Sequence, residues 1–189
     1  ADGSVATNFT GVLTSELYDS AEDIQTRNNT GLGVFNYTAY EKKLYSGTDS
    51  VKNGYFNITI PVPMDISYSG EQGLFSLFAV DNSKSGIAQG KFDNFRIAGT
   101  ASSPEDDGEG PQISVYLNSP SFVDGGEVNS TPYFCAELYD ENGVNTVGTG
   151  VGHDIMLIID NDINHTYNLN SIYVPVVGDY TRGSVAFTL

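Results

Sequence analysis

Apolar residues recur at every second position in short runs along this chain, and no stretch shows the three-to-four-residue spacing of an amphipathic helix. Phe56, Ile58 and Ile60 share one face of an extended segment while Tyr55, Asn57 and Thr59 share the other, the pattern of a half-buried antiparallel strand. Just upstream, Asn53-Gly54 pairs two residues that tolerate positive φ, so a tight hairpin turn is expected after Lys52, with Tyr55–Ile60 as the return strand. Phe9–Tyr18 reads as a first strand and Val34–Tyr40 as another. The polar stretch Asp19–Gly33 between them reads as a loop with one helical turn over Ala21–Gln25. Pro61 and Pro63 end the pairing of the return strand. Leu74–Val80 follows, with Phe75, Leu77 and Ala79 expected inward, and Phe92–Ile97 closes this half.

The pattern then breaks. Residues 101–111 are small, acidic and proline-bounded, with little to bury, and read as a linker. Beyond it Ile113, Val115 and Leu117 open a second core, which Phe134, Ala136 and Leu138 continue. Ile155–Ile159, apolar on both faces, is expected to be a central strand, and Val185, Phe187 and Leu189 form the last one. Short strands between turn signals, without helices, predict an all-β chain of two tandem Ig-like β-sandwich domains, residues 1–100 and 112–189.

Composition agrees and narrows the partners. Twelve Tyr, ten Phe and abundant Val, Ile and Thr supply both a core and strand formers. Twenty-four acidic residues against eight basic ones give a formal charge of −16, which repels phosphate backbones and excludes nucleic acid as a partner. That acidity fits a well-solvated exported or surface domain and leaves cation binding open. No apolar run approaches the ~20 residues that span a bilayer, so no membrane insertion is expected. Ala1 opens no basic-plus-apolar leader, and the chain reads as a mature or excised piece of a longer protein.

Catalytic chemistry finds little to use. Cys135 is the single cysteine, so neither an internal disulfide nor a cysteine-based zinc cluster can form. It lies within the strand-like YFCAELY rather than at a strand end or turn, and is expected to be a packed, inert thiol. His153 and His165 carry no surrounding motif, and no G-x-S-x-G elbow accompanies them. Gly143, Gly148, Gly150 and Gly152 lack the lysine and following helix of a phosphate loop, so backbone bending explains them better. Asp160, Asp162 and Asn164 have the spacing that opens a calcium loop. Yet His165 stands where that loop needs Gly and Ser171 where it needs Glu, so a hairpin turn is expected. The stronger calcium candidates are Asp106 and Asp107 of the linker, with Glu109 beside them, meeting Asp140 and Glu141 at a domain junction. No other cofactor is expected.

One segment carries more than pattern. Asp140–Ile155, DENGVNTVGTGVGHDI, resembles a segment in the C-terminal β region of the PorU-type sortase family of the type IX secretion system, gingipain-like cysteine peptidases of Bacteroidetes surfaces. The resemblance extends to Leu44–Asp81, Gly110–Pro132, Tyr167–Pro175 and Asp179–Leu189, and so covers roughly Leu44–Leu189. It implies a parent that removes the C-terminal signal domain of secreted cargo and attaches the new terminus to anionic lipopolysaccharide at the outer membrane. The family's catalytic Cys and His belong to its peptidase domain, which no part of this sequence matches. The resemblance therefore implies non-catalytic accessory domains at the cell surface, not an enzyme in themselves. Their partners would be an upstream peptidase domain of the same polypeptide, cargo signal domains or other secretion-system proteins. In the family, further strand sequence follows the point matching Leu189, so the second sandwich is expected to be truncated, with an unpaired edge. The resemblance also implies a bacterial source, for which Asp19-Ser20-Ala21 and Asp49-Ser50-Val51 are candidate O-glycosylation sites, rather than the six N-x-S/T triplets of a eukaryotic secreted protein. Two rival readings are a surface adhesin or carbohydrate-binding module, stacking sugars on Tyr116, Tyr139 and Tyr173, and a small hydrolase using Cys135.

Overall fold

The computed structural model describes residues 3–62, 69–99, 102, 108–146 and 154–189. Its regular structure is β apart from two short 3-10 turns, at Ile163–His165 and Asn170–Ile172. The all-β reading of the alternating pattern is thus the architecture the chain adopts. Much of the linker assigned to residues 101–111 lies outside the described residues.

The first half is built on β1 (Gly11–Tyr18), which pairs antiparallel with β4 (Lys43–Val51) on one side and β5 (Leu74–Asp81) on the other. Together with β6 (Ile87–Phe92) these form a four-stranded sheet in the order β4-β1-β5-β6. Leu13 and Leu17 of β1 alternate inward with Ser15, and Ala79 of β5 and Val51 of β4 complete the buried row. Phe75, Leu77 and Ala79 face the core as their spacing requires.

The layer over this sheet differs from expectation. Asn53 (φ 53°) and Gly54 (φ 79°) make the expected turn, closed by a Lys52–Tyr55 bridge, but Tyr55–Ile60 does not continue as a return strand. It crosses the sheet as an extended cover instead, putting Ile58 and Ile60 into the core while Phe56 stays 48% exposed. Likewise the final strand is β6, ahead of the predicted Phe92–Ile97, and Phe95 and Ile97 pack over the core from outside the sheet. Alternation records which residues are buried, but an extended segment alternates the same way whether or not a neighbour bonds it.

The polar stretch read as a loop with a helical turn contains β2 (Glu22–Gln25), paired with β3 (Asn36–Ala39) in a separate two-stranded ribbon. Cross-strand bonds from Gln25 Nε2 to Asn36 Oδ1 (3.1 Å) and from Thr38 Oγ1 to Asp23 Oδ1 (3.0 Å) hold it without buried apolar residues. Polar cross-strand pairing of that kind leaves no hydrophobic alternation to read.

In the second half β7 (Gln112–Leu117), β8 (Tyr133–Tyr139), β11 (Val174–Val176) and β12 (Asp179–Thr188) form a sheet in the order β11-β12-β8-β7. Opposite it lies the hairpin of β9 (Met156–Ile158) and β10 (Thr166–Asn168). Ala136, Leu138, Val185 and Leu169 are buried between the layers, with Phe134, Ile155, Leu157, Tyr167 and Phe187 packed around them. Ile155–Ile159 is therefore not a central strand: Leu157 points inward, but Met156 and Ile158 are 55% and 47% exposed. The expected core positions Ile113 and Val115 are also 59% and 62% exposed, although they pair with the buried Leu138 and Ala136 on the same face. Among the described residues the opposing layer is two strands wide, and it covers β8 and β12 but not β7. The last strand, β12, is interior to its sheet, so among the described residues the edge strands are β7 and β11.

Candidate functional site

The two sheets meet along β4 and the β11–β12 turn, and beside this junction opens a cleft of about 1300 Å³. One wall is β4 from Leu44 to Asp49 with the cover segment from Asn57 to Val62. The other is the exposed inner face of β7, the strand β9, and residues 140–146. The Asp140–Ile155 segment singled out in the sequence thus borders the cleft at Asp140, residues 142–146, Asp154 and Ile155. His153 and the glycines at 148, 150 and 152 lie outside the described residues.

This segment is shaped by its own side chains. The Asp140 carboxylate accepts the Asn142 N–H at 2.9 Å, and the Asp140 carbonyl accepts the Gly143 N–H at 3.1 Å, an Asx-type turn that reverses the chain after β8. Asp140 and Val144 donate their N–H groups to the Thr181 and Tyr180 carbonyls, tying the turn to β12. Gly143, at φ 110°, is closely packed: a side chain there would meet the Tyr180 ring of its own half at 3.0 Å and Pro61 of the other at 3.1 Å. Glycine is needed both for the backbone angle and for the space.

The junction itself rests on contacts the sequence did not predict. The Gly178 N–H donates to the Thr48 carbonyl at 2.7 Å, and Thr48 Oγ1 donates to the Pro175 carbonyl at 3.3 Å. Asp49 sits beside them, and burial raises its carboxyl above the usual carboxylate range. Burial, then the nearby Asp49, also raises Tyr45. No local motif announces the Thr48 contacts, because Gly178 and Pro175 lie more than a hundred residues away in sequence.

Of the proposed calcium set, Asp106 and Asp107 lie outside the described residues, leaving Asp140, already accepting from its own turn, and the exposed Glu141. Among the described residues no group of three or more His, Cys, Asp or Glu is placed to hold a metal ion. The Asp160–Asn164 stretch is the hairpin turn expected. Asp160 (φ 54°) and Asn161 (φ 58°) turn the chain, and Asp162 accepts from the Asn164 N–H at 3.0 Å and contacts His165 Nδ1 at 2.9 Å. Cys135 lies mid-strand, between Tyr116 and Ala186 on the face of β8 away from the core.

The three tyrosines proposed for sugar stacking do not form one platform. Tyr116 and Tyr139 share that same outer face, but the Arg182 guanidinium lies over the Tyr139 ring at 4.8 Å, and Tyr116 donates its hydroxyl to Glu137 at 3.1 Å. Tyr173 is on the other side, packed into the core beneath Gly183. Of the two candidate glycosylation triplets, Asp19 is buried and the Asp49 carboxylate belongs to the junction. No helix among the described residues is long and apolar enough to cross a membrane.

No protein-family model matches the chain, and no curated protein matches it. Among solved structures it is similar to the crystal structure of dimeric latent PorU from Porphyromonas gingivalis, at 32% sequence identity over 99% of this chain with a TM-score of 0.54. The match occupies 18% of that longer chain, so this chain spans less than a fifth of the length of the protein it is similar to. The likeness is to PorU in fold and in sequence, and its span takes in the Asp140–Ile155 segment on which the resemblance was read.

Proposed function

We propose that this chain is a non-catalytic accessory region of a PorU-like sortase polypeptide exposed at the cell surface, where it supports the processing and anchoring of secreted cargo. The observation that carries this reading is the 32% identity maintained over 99% of the chain to a small part of PorU. A scaffold role is supported by what the chain invests in: the glycine-bearing segment Asp140–Thr146 is spent on an Asx-type turn and a close approach to Pro61, both of which fix the geometry of the junction. Cys135, held mid-strand between two neighbours, is not presented as a nucleophile usually is. On this reading the junction cleft is the surface that meets the upstream peptidase domain, and cargo signal domains or secretion-system proteins are the remaining partners.

The test is the size of the native polypeptide. An antibody raised against this chain should detect a band far heavier than 20.3 kDa in source-cell envelopes, accessible to protease on intact cells. A band at 20.3 kDa would leave a free-standing β protein and remove the sortase reading.

A further inference from the structure

The β2–β3 ribbon is an arm that packs on none of the three core clusters, and every residue from 25 to 38 is exposed. Its tip is nonetheless built. Thr26 donates its N–H to the Phe35 carbonyl and its Oγ1 accepts the Phe35 N–H, both at 2.9 Å, while Asn28 Oδ1 accepts the Gly33 N–H at 2.8 Å. This cross-braced turn, with Gly31 and Gly33 at positive φ, displays Leu32 at 91%, Val34 at 53% and Phe35 at 68% exposure. An ordered loop has no structural need to present three apolar side chains to water, and such a cluster marks a contact surface.

We propose that this tip dips into a neutral lipid surface. Three observations favour lipid over a pocket on another protein. The apolar groups sit on a turn flanked by the uncharged Asn28, Asn29, Thr30, Asn36 and Thr38, so inserting them into lipid buries no carboxylate. Tyr37 (41% exposed) stands behind them at the level where aromatic side chains favour the headgroup zone. Charge is also sorted along the arm. Arg27 is the only charged residue between Ile24 and Tyr40, while Glu22, Asp23 and Glu41 are held at the base. At ~3.3 Å per strand residue, Asp23 lies roughly 10 Å behind the tip, beyond the ~8 Å screening length at physiological salt. The −16 charge of the chain therefore does not forbid the contact, and Arg27 is positioned for a headgroup phosphate. Contact of this kind is peripheral and reversible.

The chain contains no tryptophan, so Phe35→Trp installs a single reporter. With phosphatidylcholine vesicles its emission should shift to the blue and be quenched by brominated acyl chains, and Leu32→Asp in that background should weaken partitioning about tenfold. Thermal midpoints of both variants should match the parent, because the arm packs on no core cluster; this separates lost contact from lost fold. Emission that stays unmoved at large vesicle excess, with the variant folded, overturns the proposal. A blue shift produced without lipid, by raising the protein concentration or by adding a membrane-free protein extract, also overturns it and makes the tip a protein-docking element.

Discussion

Gly178 and Thr48 are hydrogen-bonded across the junction at 2.7 Å, the turn between β11 and β12 donating to the edge strand of the other sheet. Gly178 is at φ 75°, where a side chain costs about 1–2 kcal/mol. Its missing Cβ would also lie 3.9 Å from the Asp49 carboxylate. Gly178→Ala should therefore lower stability by about 1–2 kcal/mol in urea unfolding. Two separate transitions in the variant would show that this contact couples the halves.

Asp49 gives that junction a pH dependence. Its carboxyl is raised by burial, so the folded chain holds this proton more tightly than the unfolded one, whose Asp titrates near ~3.9. Stability from this group is present below ~3.9 and is lost as pH rises through the higher folded value. Asp49→Asn should be more stable than the parent at neutral pH and should flatten this part of the stability profile above pH 4. Parallel profiles for the two proteins would show that Asp49 does not titrate at the junction.

Asp19 behaves oppositely. Burial opposes its charge, but hydrogen bonds from the Ser20 N–H and from Ser69 N and Oγ (both 3.0 Å), together with Lys42 Nζ at 3.5 Å, outweigh burial and lower its carboxyl below the usual range. Its contribution is present above the unfolded value of ~3.9 and disappears as pH falls through the lower folded one. Asp19→Ala, which leaves the Ser69 and Lys42 donors unmatched, should destabilise the chain by roughly 1–3 kcal/mol at pH 7 and by much less near pH 2.

Tyr173 and Gly183 form a matched pair in the second core. The Tyr173 ring edge and hydroxyl occupy the space that a Gly183 side chain would fill. The buried Tyr173 hydroxyl makes no hydrogen bond among the described residues, and burial, then the nearby Asp179, pushes its ionisation up to about 12. Gly183→Ala should destabilise by about 1–3 kcal/mol through overpacking. Tyr173→Phe, which removes the unsatisfied hydroxyl, should be neutral or stabilising by roughly 1 kcal/mol. Chemical unfolding of both variants checks the pair.

Calcium provides a further test. If Asp106, Asp107, Asp140 and Glu141 share an ion, the thermal midpoint rises with added calcium, falls in excess chelator, and loses this response in Asp140→Asn. Equal midpoints in calcium and chelator would remove the metal from the account.

Much of this architecture is legible in the sequence. Strands β1, β5, β8 and β12 follow their hydrophobic alternation because burial on one face writes itself into every second residue. The turns at Asn53-Gly54 and Asp160–Asn164 were legible because positive φ restricts residue choice locally. The β2–β3 arm was not, since polar cross-strand bonds leave no such trace, and neither was the conversion of Tyr55–Ile60 from strand to cover.

The sequence by itself determined the all-β class, the inward faces of the main strands, the acidic surface, and the likeness to PorU carried by Asp140–Ile155. Each of these is set by residue identity within a short window. Only the tertiary structure decided that Ile113 and Val115 stay exposed, that Asp49 loses water beside Gly178, and that Leu32, Val34 and Phe35 stand clear of every core. Burial, pKa and exposure depend on which distant segments arrive, and the width of an opposing layer is not written in the strand it fails to cover.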